Sequence, residues 1–224
     1  MTSRVLILRH DHHDFGACAD VIAAALAKQD GMEVTVTETE SSLTDGTLGR
    51  HDVLVIGSGL THRVGAPGAP GTYYAPALTG DQTQALLEFV AAGGGFIGLH
   101  ITGWYIGGEL VKMLGGSANI HPPAEQTTRY AVRIAAADHE ITRDVADFVL
   151  RDDELYIPSW GPDVTVLATA QWSDRPVALM WASTYGQGRV FYSSAGHLPV
   201  TYENPSVQRI LANASRWCAH DDAA

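Results

Sequence analysis

The sequence has little cysteine, little positive charge and no long apolar run. Two cysteines occur in 224 residues, Cys18 and Cys218, near opposite ends and outside any CxxC pair. That count excludes a disulfide framework, and each is expected on a helix as a small buried hydrophobe. Lys and Arg number 14 against 25 Asp and Glu, a formal charge of −11. Phosphate backbones and anionic lipid are recognised by clustered cations, so neither nucleic acid nor a membrane is expected as a partner. The first apolar stretch, Val5-Leu6-Ile7-Leu8, is too short for a signal core or a membrane span, which makes the cytoplasm the expected compartment. No GxxxxGK[ST] occurs, and Gly57-Ser58-Gly59-Leu60-Thr61-His62 puts a histidine where a dinucleotide fingerprint needs its third glycine. No nucleotide cofactor is expected.

What is present is enough apolar residue, 46% with 17% charged, to build a core, and a length that suits one domain over residues 1–224. Short runs of Val, Ile and Leu alternate with helical stretches, the pattern of a mainly parallel sheet with helices on both faces. The spacing predicts strands over 4–9, 32–37, 53–56 and 96–99 and helices over 14–29 and 81–92, the latter capped by Thr79 or Asp81. The second half reads as a short helix over 109–114, then strands over 129–134, 148–150, 164–168, 177–181 and 189–193, some of them antiparallel. A closing amphipathic helix covers 207–217. Residues 57–80, rich in glycine and proline, read as a long loop, and loops of that length usually carry a function.

Histidine is where the chemistry concentrates, ten in all. His10, Asp11, His12, His13 and Asp14 crowd the end of the first strand, with His12 or His13 as the candidate contact. Asp14 is explained by helix capping alone. His100 stands at the end of the 96–99 strand, where open α/β sheets bind ligands. His121, the acidic run Asp152 to Glu154 with Tyr156, and His197 after Ser194-Ala195-Gly196 occupy similar strand ends or turns. Imidazoles beside a carboxylate can exchange protons near neutral pH. Trp104 and Trp160 are candidate platforms for a sugar ring, whose C–H faces pack on aromatics. Trp181 and Trp217 are assigned to packing.

Four groups of residues, in order along almost the whole chain, carry a resemblance: Gly93 to His100, Asp138-His139-Glu140-Ile141-Thr142, Asp153-Glu154-Leu155-Tyr156, and Tyr185 to Tyr192 with Gly196-His197. They resemble the motifs of the ThuA-like (trehalose-utilisation) family. The resemblance implies a flavodoxin-like, class I glutamine amidotransferase-like α/β fold in which the nucleophile elbow holds His100 instead of cysteine. Neither Cys18 nor Cys218 is expected near that elbow. Thiolate chemistry needs a sulfur there, so glutaminase activity is not expected. The family implies carbohydrate utilisation, with a disaccharide or keto-sugar as substrate, and carries over His100, His121, Glu154, Tyr156 and His197, with His12 matching a histidine often found beyond the first strand. This chain departs from the family at Arg175-Pro176 and at Ile101-Thr102-Gly103-Trp104, positions that bear on substrate more than fold.

The reading is a sugar-processing enzyme in which His100, Glu154 and His197 perform acid–base catalysis. Glu154 is the base or the orienter of a histidine, Tyr156 donates to a substrate oxygen, and His12, His121, Trp104 and Trp160 bind substrate. A second version adds zinc or another divalent ion held by two or three histidines and a carboxylate, although no HExxH spacing is present. The alternative from another class is a non-catalytic carbohydrate-binding or regulatory module. A homo-oligomer is compatible with the sequence, with no residue assigned to it.

Overall fold

Successive side chains of a strand point to opposite faces, and the first strand puts this to use. In β1 (Ser3–Leu8), Val5 and Ile7 enter one apolar layer while Leu6 and Leu8 enter another. A strand buried on both faces needs helices on both, and they are present. The structure, a computed structural model, describes residues 2–9, 15–66, 69–122 and 129–221. On one face β1 is covered by α1 (Phe15–Leu26) and α5 (Pro205–Cys218); on the other lie α2 (Gly80–Ala91) and α3 (Glu109–Leu114). Cys18 and Cys218 are buried on α1 and α5 as expected.

With β2 (Met32–Thr37), β3 (Val53–Ile56), β6 (Gly95–Leu99) and β13 (Gly188–Ser193), β1 forms a parallel half in the order β2-β1-β3-β6-β13. This is the flavodoxin-like strand order. Beyond β13 the same nine-stranded sheet continues antiparallel through β12 (Arg175–Tyr185), β11 (Thr165–Trp172), β8 (Arg129–Ile134) and β9 (Phe148–Arg151). The mixed α/β class read from the sequence is the one observed.

Three differences from the sequence reading bear on function. Residues 57–80 are not one irregular loop. They contain a hairpin of β4 (Thr61–Val64) and β5 (Tyr73–Pro76), paired from Thr61↔Pro76 to Val64↔Tyr73, whose short strands lack the alternation that would mark them in sequence. A ribbon of β7 (Gly116–Ala118) and β10 (Pro158–Trp160) was likewise invisible at three residues each. A short helix α4 (Pro199–Glu203) precedes α5. The α2 cap is settled: Thr79 and Gln82 form a reciprocal capping box.

The fold places the site through two features. The β6/β13 register pairs Leu99 with Ser193, so the residues that follow, His100 and Ser194, emerge side by side at the carboxyl edge. The second feature is Asp153. The chain leaves β9 at the far edge of the sheet, turns through Asp152 in the left-handed region at φ 55°, and buries the Asp153 carboxylate against the loop after β13. It accepts from the His197 amide at 2.8 Å, the Gly196 amide at 3.2 Å and the Tyr130 hydroxyl at 2.5 Å. This latch carries Glu154 to the β6/β13 edge.

Asp153→Ala would leave three donors without their acceptor, two of them buried, at about 1–3 kcal/mol for each buried one. A loss on the order of 3 kcal/mol or more is expected in denaturant unfolding, and an unchanged midpoint would contradict the latch. Burial pushes the Asp153 carboxyl above the usual carboxylate range, against the downward pull of the Tyr130 and His197 hydrogen bonds. A raised pKa means that the folded state holds the proton more tightly, so this contribution is full below the ordinary carboxylate value and is lost as pH rises through the raised one. The Tm advantage of wild type over Asp153→Asn is therefore expected to shrink as pH rises from about 4 toward neutral. An advantage that grows over that range would show the opposite shift.

Candidate functional site

A strand that ends in a sharp turn must put one residue into an unusual backbone conformation. Here that residue is His100, at φ 46° in the left-handed region that non-glycine residues seldom adopt. Surrounding bonds hold the turn. Tyr192 Oη donates to the His100 carbonyl at 2.7 Å, and the Thr102 hydroxyl lies 2.7 Å from the Ile56 carbonyl and accepts from the Leu99 amide at 3.2 Å. Strain over-determined in this way is a common mark of a functional turn.

The His100 ring is 2% exposed, and its Nδ1 lies 3.0 Å from the Ser194 carbonyl. A carbonyl only accepts, so Nδ1 carries the hydrogen and, in the neutral ring, Nε2 carries the lone pair. That Nε2 lies 3.1 Å from His197 Nδ1 and 3.7 Å from Glu154 Oε2, and His197 Nδ1 is 3.3 Å from the same Oε2. The other carboxylate oxygen, Oε1, is 3.2 Å from His121 Nδ1, which also lies 2.9 Å from the Pro122 carbonyl and is therefore a donor. One carboxylate thus sits among three imidazoles, and protons can pass between them without a large movement.

Aromatic rings wall this cluster. Tyr156 packs 4.2 Å from the His100 ring and 4.7 Å from Trp104, centroid to centroid. Burial, and after it the Glu154 charge, pushes the Tyr156 phenol well above its usual range, so its hydroxyl stays protonated and can donate. Against this wall opens a cleft of about 380 Å³ lined by Glu154, His197, His121, Tyr156 and Trp104. Ser58, just after β3, and Thr61, His62, Arg63 and Tyr74 from the β4–β5 hairpin complete it. The hairpin is tied to the wall, since Thr61 Oγ1 donates to the Trp104 carbonyl at 2.7 Å.

Six of the eight residues singled out from the sequence therefore meet: His100, Glu154, His197, His121, Tyr156 and Trp104. Trp160 does not. It is 42% exposed on β10 and lines a separate cavity of about 600 Å³ with Lys112, Ser159 and Asp163. Its distance along the chain from the acidic run is short, but the β7/β10 ribbon carries it off. His12 lies outside the described residues. The segment Asp138 to Thr142 builds a turn packed on α5, where the His139 ring accepts from the Ile141 amide and meets Trp217. Cys18 is closer than expected: its Sγ lies 3.9 Å from the His197 carbonyl, although buried on α1 and not at the elbow. Arg63 and Tyr74 were missed, and the glycine-rich loop that holds them was the only signal for them. Asp153 was noted only as part of an acidic run.

Comparison with known proteins places the fold and the family. Among solved structures, a ThuA-like protein from Parabacteroides merdae matches at TM-score 0.75 and 14% identity, over 98% of this chain and 90% of that one. One from Bacteroides uniformis matches at 0.71 and 20%, over 97% and 91%. A β-galactosidase from Bacillus circulans sp. alkalophilus matches at 0.64 and 14%, over 95% of this chain but 30% of the enzyme, a likeness of fold alone. No curated protein matches. The family model for ThuA, described as trehalose utilisation, fits residues 4–218. Nearly the whole chain is covered, from β1 to the end of α5, and the protein belongs to the ThuA family.

Proposed function

We propose that this protein is a carbohydrate-utilisation enzyme that acts on a disaccharide or keto-sugar by general acid–base chemistry, without glutaminase activity. The observation that carries the reading is the Glu154 carboxylate, set among His100, His197 and His121 in an aromatic-walled cleft. Membership of a trehalose-utilisation family supports the substrate class. The elbow holds an imidazole, and an imidazole that donates through Nδ1 to a carbonyl offers a base at Nε2 but no thiolate to attack an amide.

In this reading Glu154 removes a proton from a sugar carbon next to a carbonyl, and the electron pair moves into the carbonyl as an enolate. The proton passes to His197 and His100, which return it to the product or to a departing oxygen. Tyr156, held protonated, donates to the developing enolate oxygen, where a hydrogen bond is worth most. Trp104 offers its indole to the apolar face of the ring. The His121 ring, with Nδ1 3.2 Å from Oε1 of Glu154, packs against the carboxylate and limits how it can turn.

Glu154→Gln keeps the shape and removes the base. Purified wild type is expected to consume a member of a panel of disaccharides and their keto derivatives, and the variant to lose about 10²-fold or more in turnover while still binding the same sugar in calorimetry. Retained turnover in Glu154→Gln would overturn the acid–base reading. Sugar binding with no reaction by wild type across the panel would favour a binding module. Tyr156→Phe is expected to lower kcat by about 10-fold or more with little change in KM, because its hydrogen bond strengthens only in the transition state. An equal effect on KM alone would assign Tyr156 to binding.

A further inference from the structure

Two imidazole nitrogens and a carboxylate oxygen that face one another at close range satisfy each other by sharing a proton or by sharing a cation. His100 Nε2, His197 Nδ1 and Glu154 Oε2 form a triangle with sides of 3.1, 3.3 and 3.7 Å. Zinc binds nitrogen and carboxylate oxygen at about 2.0–2.2 Å in a tetrahedral shell, which sets its ligand atoms roughly 3.3–3.6 Å apart. The triangle therefore already has the size of three corners of such a shell. Within the described residues it is the one group of three or more His, Cys, Asp or Glu side chains that meets a metal-site geometry.

From this geometry we infer that His100, His197 and Glu154 hold one divalent transition-metal ion of the zinc class, with the fourth position open to the cleft. Three features beyond the triangle support it. The Nδ1 hydrogen of His100 is committed to the Ser194 carbonyl, which fixes the tautomer that points a lone pair inward, as outer partners of metal-bound histidines do. Glu154 is turned so that Oε1 lies 3.2 Å from His121 Nδ1 while Oε2 faces the other two imidazoles. Finally, His197 and Glu154 border the cleft while His100 is buried behind them, so an ion among them has a substrate-facing side and a closed side. The donor set of two nitrogens and one oxygen suits zinc or its neighbours, whereas magnesium and calcium prefer oxygen alone.

The inference concerns the same cluster as the proposed function but stands apart from it. A bound ion would polarise a sugar carbonyl or activate a water, and Glu154 would then act on protons through Oε1 and His121.

The test uses the full chain stripped with a chelator and titrated with cobalt(II) or zinc(II) alone. Expected results are one ion per chain by elemental analysis, a visible absorption of tetrahedral cobalt with a nitrogen and oxygen shell, and a Tm increase that a chelator reverses. His197→Ala and Glu154→Gln are each expected to weaken binding by at least about 10-fold, as much as loss of an outer partner costs, while His121→Ala keeps one ion. Circular dichroism checks that the variants fold. Should one not fold, the stoichiometry, the cobalt spectrum and the chelator-reversible Tm of wild type decide. No stoichiometric ion, or equal affinity in His197→Ala and Glu154→Gln, overturns the metal site. If no ion binds yet Glu154→Gln still abolishes turnover, the metal inference fails and the acid–base reading stands. If the ion binds and no sugar reacts, the reverse holds.

Discussion

The parallel pairing of β6 with β13 is the constraint from which the site follows. Two adjacent parallel strands end at the same edge, so the register Leu99↔Ser193 delivers His100 and the 194–197 segment to one place. Their contact through the Ser194 carbonyl then fixes which nitrogen of His100 faces His197 and Glu154. No side chain has to travel to form this pair, although 97 positions separate His100 from His197. The strands bring them together and the left-handed turn at His100 aims the ring.

The carboxylate arrives by a different route, and at a cost. β9 is the edge strand of the sheet, four places from β13, so Glu154 reaches the β6/β13 end only because Asp153 is buried under the Gly196–His197 backbone. Burying a carboxylate costs free energy unless hydrogen bonds offset it, and three donors do so here. Adjacent acidic residues thus divide the work: Asp153 holds the loop, and Glu154 faces the imidazoles. The aromatic wall adds rigidity, since Tyr156 is clasped between His100 and Trp104 and leaves the cleft with a firm floor. Preorganised groups of this kind do not have to reorient while charge moves.

Much of this was legible in the sequence. The buried strands β1, β3 and β6 announce themselves as short runs of branched apolar residues, and His100, Glu154 and His197 stand out because each follows or adjoins a strand end. Their convergence was not legible, since it depends on strand order and register, which the alternation pattern does not encode. The β4–β5 hairpin was hidden for a related reason: four-residue strands amid glycine and proline carry no usable period. Trp160 shows the converse error. Its closeness to Glu154 in sequence suggested a shared cleft, but the ribbon with Gly116 to Ala118 turns it to another face. Cys18 reached the back of the site because α1 packs beneath the loop after β13, a tertiary contact with no local signal.

The proposed chemistry requires that the histidine and carboxylate cluster at the β6/β13 edge move a proton to and from a bound sugar. The most direct measurement is NMR of the sugar carbons while wild-type protein turns over in D2O. Solvent deuterium is predicted to appear at a single carbon beside a carbonyl, at a rate no slower than product formation. A product formed with every carbon-bound hydrogen retained would contradict it.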